Sequence, residues 1–136
     1  MTPEQLRRDE AVKWLGQARK DLNAAGILAA SEPSRSVFHS QQAAEKSLKA
    51  LLSFYNVSFR RTHDLDELGE QCVAIAPALA PAVAEVVDLT DYAVDFRYPG
   101  VQSDPDEEEA LAALQKARSL YDQVCALPEV GSPPQA

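Results

Sequence analysis

Two histidines and a few isolated arginines are the side chains of this 136-residue chain best suited to chemistry. Histidine moves a proton near neutral pH and arginine stabilises charge on phosphoryl oxygens. Arg97 stands out, because it is the only Lys or Arg between Arg61 and Lys116. It falls where a helical pattern gives way to the Pro99-Gly100 break. Two roles fit it equally well: an ion pair with Asp91, Asp95 or the later carboxylates, or a guanidinium gripping a phosphate bidentately. His63 follows Arg60 and Arg61 in a loop before an acidic helix start, where it either bonds a nearby carboxylate or faces a ligand. His39 lies one position beyond Phe38 on a helix and reads as a packed or partly exposed structural histidine.

Other chemistries lack their residues. The acidic run from Asp104 to Glu109 suggests a divalent ion at first sight. Successive helical residues point in different directions, so the run reads as a solvated helix start. There is no P-loop, Rossmann glycine pattern, nucleophile elbow or metal-type His/Cys spacing, and neither metal nor cofactor is expected. Cys72 and Cys125 are too few and too far apart for a disulfide framework and read as buried free thiols. Trp14, the single tryptophan, reads as a core or interface anchor.

Charge narrows the partners. The net charge of −8 argues against a general nucleic-acid binder, whose footprint is basic. The distribution is uneven: residues 1–61 carry 10 Lys/Arg against 6 Asp/Glu, and residues 62–136 carry 3 against 15. Lys46, Lys49, Arg60 and Arg61 gather near one point of the chain, so a local anion site is compatible with an acidic whole. No run of about 18 apolar residues is present, so no membrane span is expected. The charges in MTPEQLRRDE replace the apolar core of a signal peptide, and a cytoplasmic protein is expected.

The elements that position these residues follow from periodicity. Val37, Gln41, Ala44, Leu48, Leu51 and Tyr55 recur in steps of four and three, which predicts a central amphipathic helix from Ser34 to Asn56. Glu45, Lys46 and Lys49 fall toward its flanks, while Gln41 lies on the stripe as an amide satisfied by backbone or held at a contact. Thr2-Pro3 offers a cap and a first-turn proline, but Ala11, Leu15, Ala18, Leu22, Ala25 and Ala29 predict a helix from about Asp9 to Ala30, and the short break before Ser34 makes the two a hairpin. Thr62 or Asp64 caps a third helix, Pro77 ends it, and Pro81 opens a fourth reaching about Asp95. Ser103 or Asp104 caps the last, with Ala110, Leu114, Ala117, Tyr121 and Val124 on its stripe. No strand pattern appears. The expected fold class is all-α, an antiparallel bundle of four long helices plus one shorter helix. Residues 1–8 read as an N-terminal extension, 9–127 as the bundle and 128–136 as a disordered tail.

At this level the chain resembles the HEPN domain family, the nucleotide-associated helical domain of higher eukaryotes and prokaryotes. The resemblance spans residues 9–127. It rests on Trp14, Ala18, Asp21 and Leu22, the QQAAEKSLKALL run of Gln41–Leu52, the THDL of Thr62–Leu65, and Arg97-Tyr98-Pro99 before an acidic last helix. It implies a helical bundle that often forms a homodimer. Small prokaryotic members are often paired with a separate minimal nucleotidyltransferase in toxin–antitoxin modules.

Many members are metal-independent ribonucleases with an arginine, four to six intervening residues and a histidine. The two residues meet at a dimer cleft and assist attack of the RNA 2′-hydroxyl on the adjacent phosphate. Here Arg97 takes the arginine place, but Gln102 stands where the histidine would be, and no histidine follows Arg97. Glutamine hydrogen-bonds a phosphate or base but is no general acid or base. A tyrosine that some family toxins carry two residues further is Asp104 here, and Arg35 with His39 is one residue too close to restore the pair. The resemblance therefore implies a dimerising nucleotide- or RNA-associated component with weak or absent ribonuclease activity. Arg97, Tyr98, Gln102, Arg61 and His63 are its phosphate- or nucleotide-binding candidates. Two alternatives stand beside it: an active ribonuclease in which His63 or another group replaces the missing base, and a purely structural interaction module.

Overall fold

The computed structural model describes residues 1–90 and 104–127, and among these every regular element is helical. Five α-helices follow in order among the described residues: α1 Pro3–Leu28, α2 Pro33–Phe54, α3 Leu65–Ile75, α4 Ala80–Val86 and α5 Glu107–Cys125. Single 3₁₀ turns at Pro77–Leu79 and Val87–Leu89 flank α4. The expected all-α bundle is what the chain forms.

Helix α1 begins six residues earlier than its apolar stripe predicts. Thr2 accepts from the Gln5 backbone while the Gln5 side chain answers the Thr2 N–H, and Pro3 suits the first turn. Residues 3–8, expected as an extension, are therefore the first turns of a helix roughly 39 Å long. Its stripe is buried as expected, with Ala11, Leu15, Ala18 and Ala25 inaccessible to solvent. Helix α2 likewise starts before Ser34: Pro33 takes the first position and Glu32 precedes it without a side-chain cap. The Ser36 hydroxyl donates to the Ala25 carbonyl at 2.7 Å and binds the hairpin together.

Helix α2 is the axis of the bundle, packed against α1, α5 and α3. Small residues at Ser36, Ser40, Ala43, Ala44, Ser47 and Ala50 are all buried, which lets neighbours approach from several sides. A helix covered nearly all round has no solvent flank. For that reason Glu45 and Lys49, expected at the edge of the stripe, are only 3% and 8% exposed.

Asn56 ends α2 in the left-handed conformation at φ 56, a region asparagine tolerates better than most residues. The Val57 N–H closes back on the Leu52 carbonyl at 2.9 Å. The chain then reverses through residues 57–64 into α3. Asp64 caps that helix through the Asp66 and Glu67 N–H groups, and the Leu65 N–H donates to Thr90 Oγ1 at 2.9 Å. Gly69 is required where α3 meets α4, because a β-carbon there would overlap the Val83 side chain. The last helix is capped by Asp106, reciprocally with Glu109, rather than by Ser103 or Asp104. The acidic run thus supplies the cap and the charges Glu107, Glu108 and Glu109, which the first-turn macrodipole favours.

Candidate functional site

The loop between α2 and α3 carries the expected Arg61 and His63 and is held from both sides. The Gln71 amide donates to the Ser58 carbonyl at 3.0 Å, and Arg60 Nε to Glu67 Oε1 at 2.7 Å. The bond to Glu67 and its charge raise the Arg60 guanidinium above its ordinary value. On the other side the Gln41 amide reaches the His63 carbonyl at 3.3 Å. Arg61, between these anchors, is exposed and has no ion pair among the described residues.

The His63 ring is oriented from below. Its Nδ1 donates to Glu45 Oε1 at 2.8 Å, since an ionised carboxylate can only accept. The same oxygen takes the Gln41 amide at 3.3 Å, and Oε2 takes Lys49 Nζ at 2.9 Å. The carboxylate is therefore buried with a cation, an imidazole and an amide, the condition under which a buried charge is tolerated. Half of the His63 side chain, 53%, remains exposed. A histidine fixed through Nδ1 and open at Nε2 can exchange a proton with a ligand. The expectation that His63 bonds a nearby carboxylate holds, but the partner comes from α2 rather than from the acidic start of α3. The amide of Gln41 is satisfied by its neighbours, as one of its two readings required.

Glu45 was not among the residues that sequence reasoning selected. Lys49 was selected only with Lys46, Arg60 and Arg61 as a local anion site, whereas the structure pairs Lys46, Lys49 and Arg60 with Asp21, Glu45 and Glu67. The signal for the Glu45–Lys49 pair was present: Gln41, Glu45 and Lys49 step by four along one line of α2. His39 has a similar arrangement in a different setting. Its Nδ1 donates to Asp21 Oδ1 at 2.9 Å, and Lys46 Nζ to Asp21 Oδ2 at 2.7 Å, joining α1 to α2. No cluster of His, Cys, Asp and Glu suited to a metal ion occurs among the described residues. Burial pushes the Cys72 thiol up to about 12, so it stays protonated, donates to the Leu48 carbonyl and is no nucleophile. Cys125, expected to be buried, is only half-buried. Burial pushes Tyr121 up to about 12 as well, ahead of the contribution of Cys125 beside it.

Arg97, Tyr98 and Gln102 lie outside the described residues, so the structure brings together only the Arg61 and His63 part of the expected site.

A model of the HEPN domain family matches residues 11–127, most of the chain. The chain belongs to the HEPN domain family. No curated protein and no solved structure matches it. The matched HEPN region contains both carboxylate-centred networks and the loop between α2 and α3. Among its described residues no helix is long and apolar enough to cross a membrane.

Proposed function

We propose that this HEPN protein is a dimerising, RNA- or nucleotide-associated component of a toxin–antitoxin-type module, acting beside a separate minimal nucleotidyltransferase. Its own ribonuclease activity is weak or absent, because Gln102 stands at the place of the motif histidine. The observation that carries the reading is the pair Arg61 and His63 on one anchored loop. An unpaired guanidinium beside a fixed imidazole is a ready contact for a phosphodiester. Arg97, Tyr98 and Gln102 complete the phosphate- and base-binding surface in this reading. Dimerisation is supported by the seam of α1 and α5, where Ile27 is 79% and Leu111 49% exposed on either side of Arg118.

A second reading has one observation in its favour, the Glu45–His63 hydrogen bond. In it His63 Nε2 removes the proton of a 2′-hydroxyl as that oxygen attacks phosphorus. The P–O5′ bond breaks, O5′ takes up a proton, and a 2′,3′-cyclic phosphate and a 5′-hydroxyl result. Arginine stabilises the charge on the non-bridging oxygens.

RNA cleavage and RNA retention in EDTA separate the two. The first reading expects retention that Arg97→Ala and Arg61→Ala weaken, no cleavage by the native protein, and cleavage restored by Gln102→His. Cleavage by the native protein that His63→Ala abolishes would replace it with the second. Retention unaffected by either arginine variant would sink both.

A further inference from the structure

A cavity of about 310 Å³ opens between the start of α1, the end of α2 and the loop after it. Two opposite charges stand in its wall, Arg7 and Glu10, one turn apart on α1. Side chains at that spacing can meet, yet these two form no ion pair among the described residues. The cause is local. Arg7 Nε donates to the Phe54 carbonyl at 3.2 Å, which draws the guanidinium toward α2. Its terminal nitrogens make no hydrogen bond among the described residues, and neither do the side chains of Glu10, Ser53 and Asn56 in the same wall. Lys49 does not tip this balance of charge. It lies outside the wall, and Glu45 answers it at 2.9 Å. Its Nζ stands 5.6 Å from the Trp14 ring centroid and 5.8 Å from that of Phe59, and so holds both rings in place. These rings and Val57, each half-buried, form the apolar part of the wall.

A lone anion here would be drawn to Arg7 and repelled by Glu10, and a lone cation the reverse. A ligand carrying both charges satisfies both side chains. In an α-amino acid the ammonium and the carboxylate share one carbon, so two side chains one helical turn apart can reach them together. We propose that this cavity binds a free α-amino acid with an apolar side chain. Arg7 takes its carboxylate, Glu10 its ammonium, and Trp14, Val57 and Phe59 cover its side chain. The Ser53 hydroxyl and the Asn56 amide donate to the carboxylate or accept from the ammonium. The volume is at the small end of the roughly 300–1,000 Å³ of ligand pockets, which suits one amino acid and not a peptide. The larger cavity along α5, about 710 Å³, also holds both charges in Arg118 and Asp122. Every residue of its wall belongs to α5, however, so no second element closes over a ligand there. The site does not depend on the Arg61–His63 reading above.

Trp14 is the only tryptophan, and aliphatic amino acids do not absorb where it does. Leucine, valine and methionine are titrated against the full chain, with Trp14 fluorescence and calorimetry as parallel readouts. Saturable binding of at least one is expected. Its N-acetyl derivative lacks the ammonium and its amide lacks the carboxylate, so each should have a Kd about tenfold higher. Glu10→Gln should weaken the free amino acid by a similar factor and leave the N-acetyl derivative unchanged. Arg7→Ala should weaken the free amino acid and leave the amide unchanged. Should Arg7→Ala lower the melting midpoint, the two derivatives on the native chain and the exposed Glu10→Gln decide without it. No saturable binding of any of the three amino acids by either readout overturns the proposal. Binding indifferent to N-acetylation, to amidation or to Glu10→Gln overturns it as well. Arg61→Ala must leave amino-acid binding intact while reducing RNA retention, so either site can fail without the other.

Discussion

Asp21 and Glu45 each hold a histidine through Nδ1 and a lysine through Nζ, with similar distances in both sets. Eighteen residues separate acid and histidine in each, so distance along the chain does not distinguish them. The backbone that carries the histidine does. His39 is fixed within α2, and its network fastens one helix to another: remove it and two packed helices remain in contact through Leu15, Leu22 and their neighbours. His63 rides on a loop that the network anchors on one side, while Gln71 and the Arg60–Glu67 pair hold it on the other. Glu45 therefore does two things where Asp21 does one, since it neutralises Lys49 within the bundle and aims an imidazole at solvent. Similar polar groups serve cohesion when both partners are already placed, and presentation when one of them is not.

The contrast has its largest consequence in stability. Glu45→Ala leaves Lys49, whose side chain is 10% exposed, as an ammonium without a counter-charge. Breaking a buried pair in this way costs about 3–5 kcal/mol. Asp21→Ala releases Lys46 and His39, which are 21% and 32% exposed and can turn to water, and costs about 1–3 kcal/mol. Urea unfolding of both variants checks the order, and equal losses would erase the distinction. The double variant Glu45→Leu, Lys49→Met sharpens it. Replacing both partners by apolar groups should recover most of the stability lost in Glu45→Ala. His63 would then have no anchor, so the double variant should still lose RNA retention.

A smaller effect is expected from the histidines. His39→Ala and His63→Ala each delete a hydrogen bond to a carboxylate and should cost about 1–2 kcal/mol, close to each other. Their RNA retention should diverge, with His39→Ala near native and His63→Ala weakened. Parallel behaviour of the two would mean that His63 is only a clamp.

Much of this architecture could be read from residue order. The stripes of α1 and α2, the cap at Asp64, the stop at Pro77 and the family resemblance all describe single elements or their succession. What stayed hidden depends on how many neighbours an element acquires. Glu45 and Lys49 look like flank residues until α2 is seen covered by α1, α3 and α5 together, a property of the assembly and not of the helix. The start of α1 was marked by Thr2-Pro3 and passed over for a local reason: the Thr2–Gln5 capping box lies upstream of the apolar pattern, which begins only at Ala11. Similarly, Pro33 starts α2 because its fixed φ suits the first helical position, and no serine cap was needed. Two of the five candidate site residues, Arg61 and His63, could be placed. Their meaning became clear only with the buried carboxylate beneath them, two turns before the end of the preceding helix.

The smallest expected effect lies between adjacent arginines on the presenting loop. Arg60 is committed to Glu67, and the pair is exposed on the arginine side, so Arg60→Ala should leave the unfolding midpoint where it was. Its loss would also free Glu67, one of whose oxygens is buried without a partner, and so add negative charge near the phosphate path. Arg61→Ala removes a cation with no carboxylate to release. If the loop is a phosphate contact, Arg61→Ala should lower RNA affinity and reduce the slope of log K against log salt by about one. Arg60→Ala should lower affinity through field alone, with little change in that slope. Identical slopes for the two variants would show that neither guanidinium touches a phosphate. The presenting role of the Glu45 network would then have no ligand to present to, and the two networks would be alike after all.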